Sequence, residues 1–176
     1  MTSSFFPAPL GLPIPVHPKR AGPEILRSLQ NLKIPELARV EDAALIRAGA
    51  LWLHGFLDES HAISQGIGSA EGSYWHALMH RSEPDFSNSK YWYRRVGNHA
   101  IFPELRDAVA ALDCRSQESR QALKALLQGS NWDPFRFVDL VEQSARNQFS
   151  DAQFIQEIAA AEYNLLMKFC LEKARS

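Results

Sequence analysis

Residues 43–57, AALIRAGALWLHGFL, would be apolar on nearly every side if wound into a helix. Such a helix must be surrounded by others, because a helix on a surface keeps one polar face. No stretch elsewhere shows sustained period-two alternation flanked by hairpin turns, so strands are not expected. The fold read from the sequence is therefore all-α. It is an irregular bundle of about seven to eight helices packed around a buried helix near 40–58.

The remaining segments supply the other helices. Pro23 precedes EILRSLQNL, whose Ile25, Leu26, Leu29 and Leu32 recur at helical spacing. Gly66, Gly68 and Gly72 mark a turn. Two helices follow over about 73–81 and 87–96, divided by Glu83-Pro84-Asp85, with Asp85 or Ser87 as cap and Gly97 as stop. ELRDAVAAL after Pro103, QALKALL after Ser116, the segment opened by Asp133-Pro134, and residues 151–173 complete the set.

Before the bundle, residues 1–22 carry Pro7, Pro9, Pro13, Pro15 and Pro18, which fix φ and predict an extended arm. The arm also holds Phe5, Phe6, Leu10, Leu12, Ile14 and Val16. That composition suits packing along the body, or a homo-oligomer contact with a second copy. Residues 23–176 are expected to form a single helical domain.

Composition removes several classes of function. The chain has 176 residues and a formal net charge of −1, so there is no basic footprint for nucleic acid or an anionic membrane surface. No apolar run reaches the roughly 18–20 residues needed to span a bilayer. The N-terminal segment lacks the basic start of a secretory signal. Two isolated cysteines, Cys114 and Cys170, do not make a disulfide framework and fit a reducing cytoplasm.

Chemistry-bearing side chains concentrate in residues 72–97, GSYWHALMHRSEPDFSNSKYWYRRVG. His76 and His80 stand four apart, so they project from one helical face at the spacing of helical metal sites. A divalent ion needs further ligands, and His54 and His61 are offered by the preceding segment. Arg47, His54, Asp58 and His61 would form one stripe if a single helix held through His61. The alternative is that Arg47 reaches solvent and His54 meets a neighbouring carbonyl. With a short turn between the two helices, Asp58 and His61 are brought near His76. His76, His80, His54 and Asp58 are then the candidates for proton transfer or metal-assisted hydrolysis. Arg81, Glu83, Asn88, Trp92 and Arg95 are the candidates for holding a small anionic ligand, the guanidinium fork being matched to carboxylate or phosphate.

The same block, with the Leu57-Asp58-Glu59-Ser60-His61 segment before it, resembles a family of uncharacterised proteins. The resemblance runs from about 52 to 103, with a fainter echo at Trp132-Asp133-Pro134 and at Phe137-Val138-Asp139-Leu140. It implies no reaction, cofactor or partner, and serves to group those residues. Two readings stand side by side. One is a small-molecule or metal site between two helices. The other is a non-catalytic protein whose His, Arg and carboxylate groups form a packing network.

Overall fold

The computed structural model describes residues 16–32 and 39–175. Among them are nine α-helices and no strand: α1 Pro23–Gln30, α2 Val40–Leu53, α3 Leu57–Ser64, α4 Ala70–Ser82, α5 Phe86–Val96, α6 Phe102–Ala110, α7 Gln117–Leu126, α8 Pro134–Ala145 and α9 Ala152–Lys173. They form an irregular helical bundle. No helix of the described residues is long and apolar enough to cross a membrane.

Local chemistry sets the helix starts. Ser69, Asp85, Asp133 and Asp151 each accept a backbone N–H from the first turn of the helix that follows. Ser116 and Ser119 make a reciprocal capping box at α7. Pro23 and Pro134 begin α1 and α8, where a missing N–H costs nothing.

The expected long helix through residue 58 is interrupted. α2 ends at Leu53, and α3 starts afresh at Leu57. Gly55 lies between them at φ +74°, and a Cβ there would meet the Lys19 carbonyl carbon at 2.4 Å. Residues 16–22 occupy that space. The Ala21 N–H donates to the His54 carbonyl at 2.9 Å, the Arg20 guanidinium pairs with Glu59, and His17 Nδ1 lies 2.7 Å from the Ser82 carbonyl. Residues 1–15, and with them most of the arm proposed as an oligomer contact, lie outside the described residues. Because of the break, Arg47 and His61 share no stripe. Half-buried Arg47 donates to the carbonyls of Leu29, in the last turn of α1, and of Leu32, just beyond it.

α4 runs through the interior: every residue from Glu71 to Ser82 is buried. α5 and α3 pack along it, α2 crosses it, and side chains of the long α9 reach it from the remaining side. Trp52 stacks on Tyr163 at 5.5 Å, Trp75 meets Tyr163 edge-on, and the Trp52 indole N–H donates to Ser82 Oγ at 2.9 Å. Gly49 lets α2 approach this layer. A Cβ on it would lie 2.6 Å from two Trp75 ring atoms and 2.8 Å from Met167 Cε. Helix propensity favours Ala over Gly by about 1 kcal/mol. Overpacking a rigid, enclosed indole costs about 1–3 kcal/mol, and with three contacts this short the upper end applies. Gly49→Ala is therefore expected to lower stability by about 1–2 kcal/mol, seen as a lower urea midpoint at unchanged slope. A stabilised variant would mean that Trp75 has room to move.

Cys114 and Cys170 are unpaired, and burial pushes the Cys170 thiol up to about 12.

Candidate metal centre

The turn at 65–69 sets α3 against the start of α4, which brings His61 from the last turn of α3 onto the face carrying His76 and His80. The His76 and His80 rings are parallel, with centroids 4.7 Å apart and planes 18° apart, as the four-residue spacing predicts. His61 meets both edge-on, at 4.5 Å from His76 and 5.5 Å from His80. One nitrogen from each of the three imidazoles lies within 4.8 Å of the others. Two nitrogens on a tetrahedral ion with bonds of about 2.0–2.1 Å sit roughly 3.4 Å apart. Closing on an ion therefore needs a small inward turn, most easily made by half-buried His61 on its short helix.

α5 closes the other side. Trp92 stacks on His76 at 3.8 Å, so His76 is held between an indole on one face and His80 on the other. Its edges are different: both ring nitrogens are buried, and neither has a hydrogen-bond partner among the described residues. Burial, and then the neighbouring His80 and His61, push its pKa down to about 3. The ring is thus neutral across the physiological range, and one of its nitrogens lies within 4.8 Å of a nitrogen of His61 and of His80.

His80 has more company. Glu83 Oε2 and Asp85 Oδ2 lie 3.7 and 3.9 Å from its Nδ1, and the Asn88 side-chain Nδ2 lies 3.1 Å from its Nε2. Burial lowers its pKa and the Asp85 carboxylate partly offsets this. Carboxylates at Nδ1 favour a proton there, which leaves the Nε2 lone pair for a metal, the usual arrangement of a ligating histidine.

The sequence-predicted residues divide between two places. His61, His76, His80, Glu83, Asn88 and Trp92 assemble here, and exposed Arg95 sits over the outer indole with Cζ 5.2 Å from its centroid. His54 caps the end of α2 and is not one of the grouped imidazoles. Asp58 is exposed in the first turn of α3. A continuous helix would set Asp58 near His76 and His54 at the level of His80; the break at Gly55 removes the common stripe on which that placement rested.

Arg81 is the clearest departure. It is fully buried, with Nη2 donating to Glu162 Oε2 at 2.6 Å and Nη1 to the Tyr93 hydroxyl at 3.1 Å. The Tyr74 and Tyr93 hydroxyls both donate to Glu162 Oε1, at 3.0 and 2.7 Å. The guanidinium lies 4.5 Å from the Phe137 ring centroid. Burial opposes its charge most strongly, but the Glu162 carboxylate together with Tyr93 and Tyr74 outweighs burial and raises its pKa. Arg81 is committed to internal partners and cannot hold an external anion.

Sequence reasoning missed Glu162, although a lone carboxylate within IAAAEYNLLM was a usable signal. It also missed a second polar knot at the start of α4. There Lys173 donates to Glu71 Oε2 at 3.0 Å, and His99 Nε2 lies 3.9 Å from Glu71 Oε1.

No protein-family model, curated protein or solved structure matches the chain.

Proposed function

We propose that the protein binds a divalent transition-metal ion through His61, His76 and His80. The observation that carries this reading is His76: a buried, neutral imidazole, clamped face-on by two rings, with no partner at either nitrogen among the described residues and two further imidazoles within reach. Buried polar atoms are ordinarily hydrogen-bonded, and one left unpaired calls for a reason. A metal ion supplies one.

Imidazole donors suit zinc, copper, nickel and iron rather than magnesium or calcium. Three protein ligands leave a coordination position open, where a bound water is acidified toward neutral pH. The reaction class that fits is hydrolysis by metal-activated water. The packing-network reading is favoured only for the other half of the polar block, where Arg81 and Glu162 are enclosed. The unpaired thiols support a cytoplasmic location.

Metal analysis and cobalt titration of untagged protein test the proposal. One equivalent of cobalt(II) should give the visible bands of a low-coordinate site. His76→Ala and His80→Ala should each weaken binding by roughly 100-fold or more, beyond what loss of an outer-shell partner costs. His54→Ala should leave binding unchanged. Failure of wild-type protein to bind cobalt(II) or zinc, or equal loss in His54→Ala, would overturn the assignment.

A further inference from the structure

Away from the three histidines, the end of α5 and the segment leading into α8 line an open cleft of about 440 Å³. Its apolar walls are buried Tyr93, Phe102, Trp132 and Pro134, with half-buried Phe135. These walls are set before any ligand arrives. The Tyr93 hydroxyl is tied to Arg81 and Glu162, its ring meets that of Phe135 with centroids 6.5 Å apart, and Trp132 packs on Phe137 at 6.0 Å. Fixed rings spare a ligand the entropy of ordering them.

Most polar groups on the cleft are already committed. The Trp132 backbone N–H donates to Asn131 Oδ1 at 3.0 Å, which fixes how that amide is turned. Asn131 Nδ2 in turn donates to Asn98 Oδ1 at 2.7 Å, so the Asn98 carbonyl is taken and its NH2 has no partner among the described residues. Asp133 Oδ1 accepts the Phe135 N–H at 3.0 Å, and Oδ2 lies 3.2 Å from Arg136 Nε. Arg94, exposed in the last turn of α5, has no hydrogen bond or ion pair among the described residues. The uncommitted groups, Arg94 and the Asn98 NH2, are thus both donors, and one carries a full positive charge. Two features oppose an anion. The Asp133 carboxylate is offset by Arg136, and the carbonyl end of α5 carries about half a charge against the whole one on Arg94.

We infer that this cleft binds a small aromatic carboxylic acid, its carboxylate on Arg94 and Asn98 and its ring against Trp132 and Phe135. The guanidinium fork matches a carboxylate, and aromatic walls favour a ring. The volume lies at the low end for ligand clefts and suits a one-ring acid. The cleft shares no residue with the three histidines, so it stands whether or not they hold a metal.

The test uses full-chain nitrogen-15-labelled protein in chelator, so that no metal can take the carboxylate. Benzoate is titrated in while amide and indole N–H resonances are followed. The Asn98 side-chain and Trp132 indole signals should shift together and saturate. Acetate, which has the charge without the ring, and benzyl alcohol, which has the ring without the charge, should each bind at least tenfold more weakly. Arg94→Gln should weaken benzoate at least tenfold, the factor for losing a hydrogen bond between charged groups, and its exposed position leaves the fold intact. Asn98→Asp keeps an oxygen for Asn131 but replaces the donor with like charge, and should also weaken benzoate at least tenfold. No saturable shift with benzoate, equal binding of acetate or benzyl alcohol, or unchanged benzoate binding in Arg94→Gln would overturn the inference.

Discussion

Arg81→Met is expected to lower the unfolding free energy by roughly 3–5 kcal/mol, the cost of leaving one member of a buried ion pair without its partner. The size follows from what remains. Glu162 is fully buried and would keep its charge with only the Tyr74 and Tyr93 hydroxyls to bind it. Adding Glu162→Gln should recover a large part of the loss, because the amide oxygen still accepts both hydroxyls and no net charge is left inside. Urea unfolding of the two variants at neutral pH measures this directly. A loss below about 1 kcal/mol in Arg81→Met would mean that water reaches Glu162 and that the group is not the enclosed network its geometry describes. Cobalt(II) binding by Arg81→Met, at urea concentrations where it stays folded, should match wild type. The neighbouring residues His80 and Arg81 point to different sides of α4, one to the His61 and His76 imidazoles and the other to α9.

That division within one helix shows what the sequence could and could not carry. The His76–His80 pair was legible because four-residue spacing is a local property of any helix, and the helix starts at Asp85, Asp133 and Ser116 because a cap is local chemistry. His61 was placed near His76 because the turn between α3 and α4 is short. The end of α2 went unread although its signal is local: Gly55 at positive φ closes the helix, with its N–H on the Trp52 carbonyl and the Phe56 N–H on that of Leu51, while the packing of residues 19–21 against it comes from more than thirty positions earlier. The fate of Arg81 was not legible, because its partner is 81 residues away on α9. A dense run of polar side chains announces that something must satisfy them. Whether a side chain from afar or a ligand does so is decided by tertiary packing, and here the answer differs between adjacent residues.

Metal-free protein is expected to lose stability as the pH falls from 6.5, and His76 should account for about 2–3 kcal/mol of the loss at pH 4.5. The sign follows from the two states. In the unfolded chain His76 titrates at the ordinary value of 6.5, whereas in the folded protein burial and the flanking imidazoles hold it down at about 3. Below pH 6.5 the unfolded state therefore binds a proton that the folded state refuses. Stability falls with each unit until the folded value is reached, at about 1.4 kcal/mol per unit. His80 and His99 are shifted in the same direction and add to the slope. Glu71 is shifted down as well, and loses its stabilising contribution only as its carboxylate protonates at lower pH. His76→Phe isolates the His76 share: a phenyl ring can keep the stacking on Trp92 and His80 but has no proton to gain. Between pH 7 and 4.5, in chelator, urea unfolding of wild type should lose about 2–3 kcal/mol more than that of His76→Phe, because only wild type carries this proton cost. Parallel curves would show that the folded protein accepts a proton on His76, and hence that the ring has a partner or an opening to water.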